Sequence, residues 1–165
     1  MFSLLIFVVH HLVYILVNLT NELVKFIRLL HSFFLLKKKD SLRHSSLNYY
    51  YDLFYIYDNN GKRRKIVPTN IAELLTPCAL AYWIMDDGGI NTYNATILNT
   101  DSFTLEEVEL LQKALEQKFG LRTRKSEKRK GQWIILIPVR QTVPLSEIVR
   151  PYMHETMLFK VKGLS

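Results

Sequence analysis

Residues 75–89 read LTPCALAYWIMDDGG, a segment that carries both a start and a stop signal for a helix. Thr76 is a typical N-cap, and Pro77 suits the first helical position, where a missing amide costs nothing. Apolar residues follow almost to the end, and the glycines at 88 and 89 stop the helix. Because the helix is apolar on every side until its last turn, it must be buried all round. We therefore predict a buried helix over 76–87.

Two adjacent carboxylates, Asp86 and Asp87, end this apolar helix. The C-terminus of a helix carries partial negative charge, so a carboxylate there costs free energy unless a cation compensates it. One hypothesis is that either carboxylate only accepts hydrogen bonds from the amides of Gly88 and Gly89. The other is that one of them binds a hard divalent cation through oxygen, such as magnesium bridging a phosphate.

The elements that follow indicate an α+β domain. A second helix is predicted after Thr104, which forms a capping box with Glu107, and Gly120 ends that helix. The predicted order is helix, two strands, helix, two strands, helix, with strands over 90–93, 95–100, 121–128 and 132–139 and a last helix over 144–153.

The first 40 residues differ from the rest. Met1 to Leu19 contains no charged residue and is about as long as a membrane-spanning helix, although His10, His11 and Asn18 interrupt it. It is a membrane segment, a core-packing helix that lost its partner, or an extension that is not native to the domain. We assign 1–40 to an apolar helical leader and 41–165 to the domain, and we expect membrane contact only through residues 1–36.

Composition limits the classes of function. The chain has 165 residues, 22 Lys and Arg against 15 Asp and Glu, and a net charge of +7, which favours a polyanionic partner. Its apolar fraction of 48% argues against a disordered chain. The single Cys78 excludes an internal disulfide framework and a cysteine-based zinc site, and the five histidines lack the paired spacing of a zinc motif.

The segment from Arg122 to Lys130 is strongly basic, with six basic residues and one acid. If Leu121 faces the core, strand alternation places four side chains on the opposite face: Arg122, Arg124, Ser126 and Lys128. Lys130, Gln132, Thr92 and Asn94 extend this set of candidate nucleic-acid contacts. The alternative is a solvated edge strand protected by its charge.

The strand over 132–139 has a different character. With Trp133, Ile135 and Ile137 inward, its other face presents Gln132, Ile134 and Leu136. Of these only Gln132 can read a base edge, and the two aliphatic side chains suit thymine methyl groups or indicate a departure from binding.

Residues 80–88, LAYWIMDDG, resemble the nonapeptide of the LAGLIDADG homing endonucleases. The preceding LTP and the closing PYMHETMLFK, residues 151–160, resemble the intron-encoded branch of mitochondria and chloroplasts, over about residues 49–163. The resemblance implies a half-saddle fold, hydrolysis of double-stranded DNA with magnesium, and localisation in an organelle. It also implies that Asp87, with Gly88, binds the metal and that Arg140 lies near the reacting phosphate.

The chain contains one such motif, whereas the resemblance implies two motif helices packed side by side. It therefore resembles the C-terminal half of a two-motif enzyme, with Tyr82 where the eponymous motif has glycine. The second motif would come from a homodimer or from a separately encoded first half. Two alternatives stay open: an RNA maturase that binds intron RNA without cutting, and a degenerate remnant without activity.

Overall fold

The computed structural model describes residues 52–161, so the predicted leader lies outside the described residues. Within this part of the chain, no helix is long and apolar enough to cross a membrane. The strands are β1 (Tyr55–Tyr57), β2 (Arg63–Lys65), β3 (Gly88–Ile90), β4 (Thr96–Asn99), β5 (Arg124–Arg129) and β6 (Gln132–Ile137). The α-helices are α1 (Ile71–Leu74), α2 (Pro77–Asp87), α3 (Leu105–Phe119) and α4 (Thr142–Val149). Three 3₁₀ turns lie at Val139–Gln141, Arg150–Tyr152 and Glu155–Val161.

The motif helix α2 forms as its sequence predicts. The Thr76 side chain accepts a hydrogen bond from the Ala79 amide at 3.1 Å, and Pro77 occupies the first helical position. Trp83 and Ile84 are fully buried, as are most residues of the helix before its last turn. The C-terminus of α2 is thereby fixed by the hydrophobic core.

A four-stranded antiparallel sheet packs against the helices, in the order β3-β4-β6-β5. The predicted α+β class and the order helix, two strands, helix, two strands, helix are confirmed. The capping box of α3 is also present, because the Thr104 side chain accepts from the Glu107 amide and the Glu107 carboxylate accepts from the Thr104 amide. Gly120 ends α3 in the left-handed conformation, with φ 66°.

The predicted strand over 90–93 is wrong in its position, because the strand already begins at Gly88 and ends at Ile90. The Asn91 side chain accepts hydrogen bonds from the amides of Tyr93 and Ala95, at 3.0 Å and 2.9 Å, and turns the chain. Asn94 completes this turn at φ 60°. Thr92 and Asn94 are therefore exposed on a turn and not on a strand.

The last two strands are shorter than predicted. Leu121 is fully buried and bonds back to the Leu115 carbonyl, so β5 starts only at Arg124. At the other end, β6 stops at Ile137 because Pro138 has no amide for the ladder. The last helix begins at Thr142, two residues earlier than predicted, since a proline in the first turn of a helix removes no helical hydrogen bond.

Candidate active site and nucleic-acid interface

The two carboxylates at the end of α2 differ in exposure. Asp86 is exposed and Asp87 is half-buried. The Gly88 amide donates to the Ile84 carbonyl, and Gly89 pairs with Ile97 in the sheet. Within residues 52–161 neither carboxylate accepts a hydrogen bond, so the glycine amides do not serve as their partners.

The positive charge that the end of the helix requires comes from distant parts of the chain. The Lys160 ammonium donates to the carbonyls of Ile84 and Met85, at 3.2 Å and 2.7 Å. It therefore caps the last turn of α2 and offsets the partial negative charge there. Loss of hydration lowers the pKa of Lys160, and attraction to Asp86 and Asp87 partly offsets this effect.

Lys65 is the second cation near these carboxylates. It lies at the end of β2, with its ammonium 5.9 Å from the centroid of the Phe103 ring. Burial lowers its pKa, while attraction to Asp87 and then Asp86 acts in the opposite direction. The sequence marks Lys65 only as part of the basic run 62–65, and no local pattern connects it with the end of α2.

Replacing Lys65 by Met should increase the free energy of unfolding at pH 7. The pKa of Lys65 is lower in the folded protein than in the unfolded chain, so the free energy of unfolding rises with pH between these two pKa values. At a pH below both pKa values, Lys65 is charged in both states and the full cost of burying its ammonium is present. Thermal or urea unfolding measures the change. Lys62→Met is the matched control, because Lys62 is exposed in the adjacent turn and should change stability by less than about 0.5 kcal/mol. A loss of stability in Lys65→Met would show that attraction to the carboxylates outweighs burial.

Asn99 connects the motif helix to the sheet. Its side-chain amide donates to the Asp87 carbonyl at 2.7 Å. This contact follows from the register, since Gly88 pairs with Leu98 and so brings the end of β4 beside the end of α2. Asn99 thus fixes the backbone that carries the Asp87 carboxylate.

The sheet has one face toward the helices and one face away from them. Leu98, Ile135 and Ile137 are fully buried on the helix side. Cross-strand partners share a face, so the register assigns the opposite side of β4, β5 and β6. This open face consists of Ile97, Asn99, Arg124, Ser126, Arg129, Gln132, Ile134 and Leu136.

Of the four predicted side chains on the basic strand, Arg124 and Ser126 lie together on the open face. The prediction is wrong for Arg122, which precedes β5 and forms an ion pair with Glu116 of α3 at 3.6 Å. It is also wrong for the position of Lys128, because an irregularity between Glu127 and Arg129 shifts the register and puts Arg129 opposite Gln132.

The remaining predicted contacts lie at the edges of the sheet. Lys128 is 3.7 Å from Asp101, which follows β4, and Lys130 is exposed in the turn between β5 and β6. Arg140 is exposed beyond the end of β6 that pairs with Thr96, whereas Asp87 precedes the opposite end of β3. The register therefore separates Arg140 from Asp87, and the cations near the carboxylates are Lys65 and Lys160 instead.

A buried helix that ends in two carboxylates, followed directly by an antiparallel sheet with the basic strand β5 at its edge, is the half-saddle arrangement that the motif resemblance implies. The model of the LAGLIDADG DNA endonuclease family matches residues 7–145. The chain belongs to this family. The match begins well before residue 49, where the motif resemblance begins, so the family relationship extends further toward the N-terminus than the motifs indicate.

Individual relatives agree with this assignment. The chain is similar to the intron-encoded endonuclease ai4 of Dictyostelium discoideum, 39% identical over 70% of this chain and 70% of that protein. It is 33% identical to the DNA endonuclease I-ChuI of Chlamydomonas applanata, over 74% of this chain and 60% of the relative. It is also 31% identical to the cytochrome b mRNA maturase bI2 of Saccharomyces cerevisiae, over 75% of this chain but 30% of the relative.

A solved structure shares the fold. The homing endonuclease I-WcaI, bound to its DNA recognition sequence, superimposes with a TM-score of 0.59. The two proteins are 23% identical, and the likeness covers 78% of this chain and 80% of the other.

Proposed function

We propose that this chain is a site-specific homing endonuclease that hydrolyses phosphodiester bonds of double-stranded DNA with magnesium. The observation that carries the proposal is the carboxylate of Asp87, which accepts no hydrogen bond within residues 52–161 and ends a helix fixed in the core. Beside it lies an open sheet face with a basic flank, of the kind that can follow a DNA groove. Relatives named as endonucleases support this reading.

The donor set at the end of α2 fits a hard cation. Asp87 and the neighbouring backbone of Gly88 would hold the ion through oxygen, the ligand atom that magnesium prefers. When bound, magnesium supplies a Lewis acid that polarises the scissile phosphate. Within residues 52–161 no group of three acidic, histidine or cysteine side chains is close enough to hold a metal ion by itself. One chain therefore provides part of a site that a second motif would complete.

The chain's own residues prepare this site in three ways. The core holds α2, and Asn99 holds the backbone of Asp87, so the carboxylate has a fixed position. Lys160 and Lys65 provide positive charge near the place where a scissile phosphate would bind. Arg124 and Arg129 are exposed on the open face, where they can contact DNA bases or phosphates. Arg140, which the resemblance implies near the reacting phosphate, is in our proposal a contact to DNA beyond the other end of the sheet.

We assign the second motif to a second copy of this chain, because the sequence contains one motif and the carboxylates at the end of its helix accept no hydrogen bond within residues 52–161. If the chain is the C-terminal half of a two-motif enzyme, a separately encoded first half would supply the second motif instead. We further place the protein in a mitochondrion or chloroplast, in agreement with the organellar motif string and with relatives named as intron-encoded.

A second function has support from the similarity to the cytochrome b mRNA maturase of Saccharomyces cerevisiae. Binding to intron RNA would use the basic residues but would not need the carboxylate of Asp87. The two functions therefore differ in their dependence on this one side chain.

Incubation of the purified full-length chain with a library of randomised duplexes and magnesium tests the proposal. We expect cleavage at a small set of related sequences, and we expect sedimentation to show two chains per cleaved duplex. Specific binding to the intron RNA without cleavage of any duplex would favour the maturase. A chain that binds neither nucleic acid would contradict both functions.

Neighbouring cations on β5 provide a matched test of the binding face. Arg124 points away from the helices, so Arg124→Ala should affect duplex binding. If Arg124 contacts a base, binding should weaken by about 1 to 3 kcal/mol, and if it contacts a phosphate, the slope of log affinity against log salt concentration should fall by about one. Lys125→Ala removes the same charge from the helix side, where Lys125 pairs with Glu109 of α3, and should change binding little. Fluorescence anisotropy over a range of salt concentrations measures both. Equal losses in the two variants would argue against the open face as the binding surface.

A further inference from the structure

Three aliphatic side chains, Ile97, Ile134 and Leu136, lie in the middle of the open face. Ile97 is directly opposite Leu136, and Ile134 is two residues away on the same strand as Leu136. All three are half-buried, whereas Ile135 and Ile137 on the helix side are fully buried. The apolar patch therefore exposes part of its surface and is not the part of β6 that fills the core.

Polar and basic side chains surround this patch in register. Arg124 is opposite Leu136, and Ser126 is opposite Ile134. Arg129 is opposite Gln132, one row beyond Ile134 on the open face. Alternate residues of a strand lie about 6.7 Å apart and neighbouring strands about 4.8 Å apart. Because base pairs stack at about 3.4 Å, the patch covers about two or three of them.

The surroundings of the patch favour duplex DNA as its occupant. A second copy of the chain seated face to face would add its own Arg124 and Arg129 to the same interface, and repulsion among these like charges opposes that contact. The major groove of B-DNA admits a pair of strands and displays the C5-methyl group of thymine. The major groove of an RNA helix is too deep and narrow for side chains to read.

We propose that Ile97, Ile134 and Leu136 determine target specificity by contacting thymine methyl groups in a short thymine-rich run of each half-site. Arg124, in the row of Leu136, and Arg129, one row beyond Ile134, lie on β5 along one side of the patch. There they read guanines next to the run, since arginine forms two hydrogen bonds to the O6 and N7 edge of guanine. This inference rests on the proposed endonuclease function and specifies the sequence class of its substrate.

Selection of duplexes from a randomised library by the full-length chain, without divalent cation, tests the inference. We expect a consensus with a run of thymines and with guanines adjacent to it. Each contacted thymine is then replaced by deoxyuridine, which removes only the methyl group. Binding should weaken about fourfold for each methyl, the equivalent of ~0.8 kcal/mol per buried carbon. A consensus without such a run, or equal affinity for thymine and deoxyuridine at every position, would overturn the inference.

A variant locates the effect on the patch. Ile134→Ala should lose the sensitivity to deoxyuridine at one position, whereas Val143→Ala should keep it, because Val143 is an exposed aliphatic residue on α4, outside the open face. Retained sensitivity at every position in Ile134→Ala would contradict the assignment. If the chain cleaves the selected duplex with magnesium but binds the deoxyuridine and thymine duplexes equally, the endonuclease function is supported and only the thymine contacts are overturned. Failure to select any duplex would overturn both.

Discussion

Asp87→Asn is expected to reduce the rate of magnesium-dependent cleavage by roughly a thousandfold, which corresponds to the loss of about 4 kcal/mol of transition-state stabilisation. The amide keeps the size of the carboxylate and lacks the negative charge that holds the cation. Affinity for the uncleaved duplex should stay the same or increase, since a negative charge facing the phosphates is removed. Single-turnover cleavage and equilibrium binding of the same duplex measure the two effects separately.

Asp86→Asn is the matched control for this prediction. Asp86 is the adjacent, exposed carboxylate, and in our proposal the metal binds Asp87. We expect Asp86→Asn to reduce cleavage far less than Asp87→Asn does. Equal losses of cleavage rate in the two variants would indicate that Asp86 and Asp87 bind the metal together. Full activity of Asp87→Asn would show that this carboxylate is not needed for cleavage.

Gly88→Ala is expected to destabilise the fold by about 3 kcal/mol or more, because the new methyl group has no room. A Cβ atom at this position would lie 2.4 Å from the Ile84 carbonyl oxygen and 2.8 Å from its Cα, both backbone atoms that cannot move aside cheaply. The clash would separate the last turn of α2 from β3, at the residue after Asp87. Urea unfolding with a circular dichroism signal measures the loss.

Gly89→Ala tests the same substitution one residue later. A Cβ atom on Gly89 would meet nothing within 4 Å, so its stability should change by less than about 0.5 kcal/mol. If Gly88→Ala is as stable as the native protein, the junction between α2 and β3 can relax, and the close contact between Gly88 and Ile84 does not limit the residue at this position.

Local signals account for the parts of the fold that the sequence predicts. The Thr76 cap with Pro77 sets the start of α2, and the Thr104 and Glu107 pair sets the start of α3. These signals act over a few residues, and the structure reproduces them. Strand boundaries depend on pairing between segments, which explains why the Asn91 turn displaces the predicted strand and why the irregularity near Arg129 changes which cations share a face.

Some parts of the candidate site can be predicted from the sequence, and others follow only from the fold. The acidic end of α2 and the basic β5 are visible in the sequence, because each is a continuous run. Lys65 and Lys160 lie on opposite sides of the motif in the chain, at separations at which only tertiary packing brings them to Asp87. The physical requirement for a cation at an acidic helix C-terminus can be stated from the sequence, but which lysines meet it follows only from the fold.

The initial rate of double-strand cleavage, measured against chain concentration with the selected duplex and magnesium, tests most directly whether two copies of Asp87 act together. At concentrations where the free chain is monomeric, we expect the rate to rise with the square of the concentration until the duplex is saturated, and to vanish without magnesium. A chain that saturates its duplex as a monomer and leaves both strands intact, or that cleaves both strands as a monomer, would contradict the joint action of two copies of Asp87.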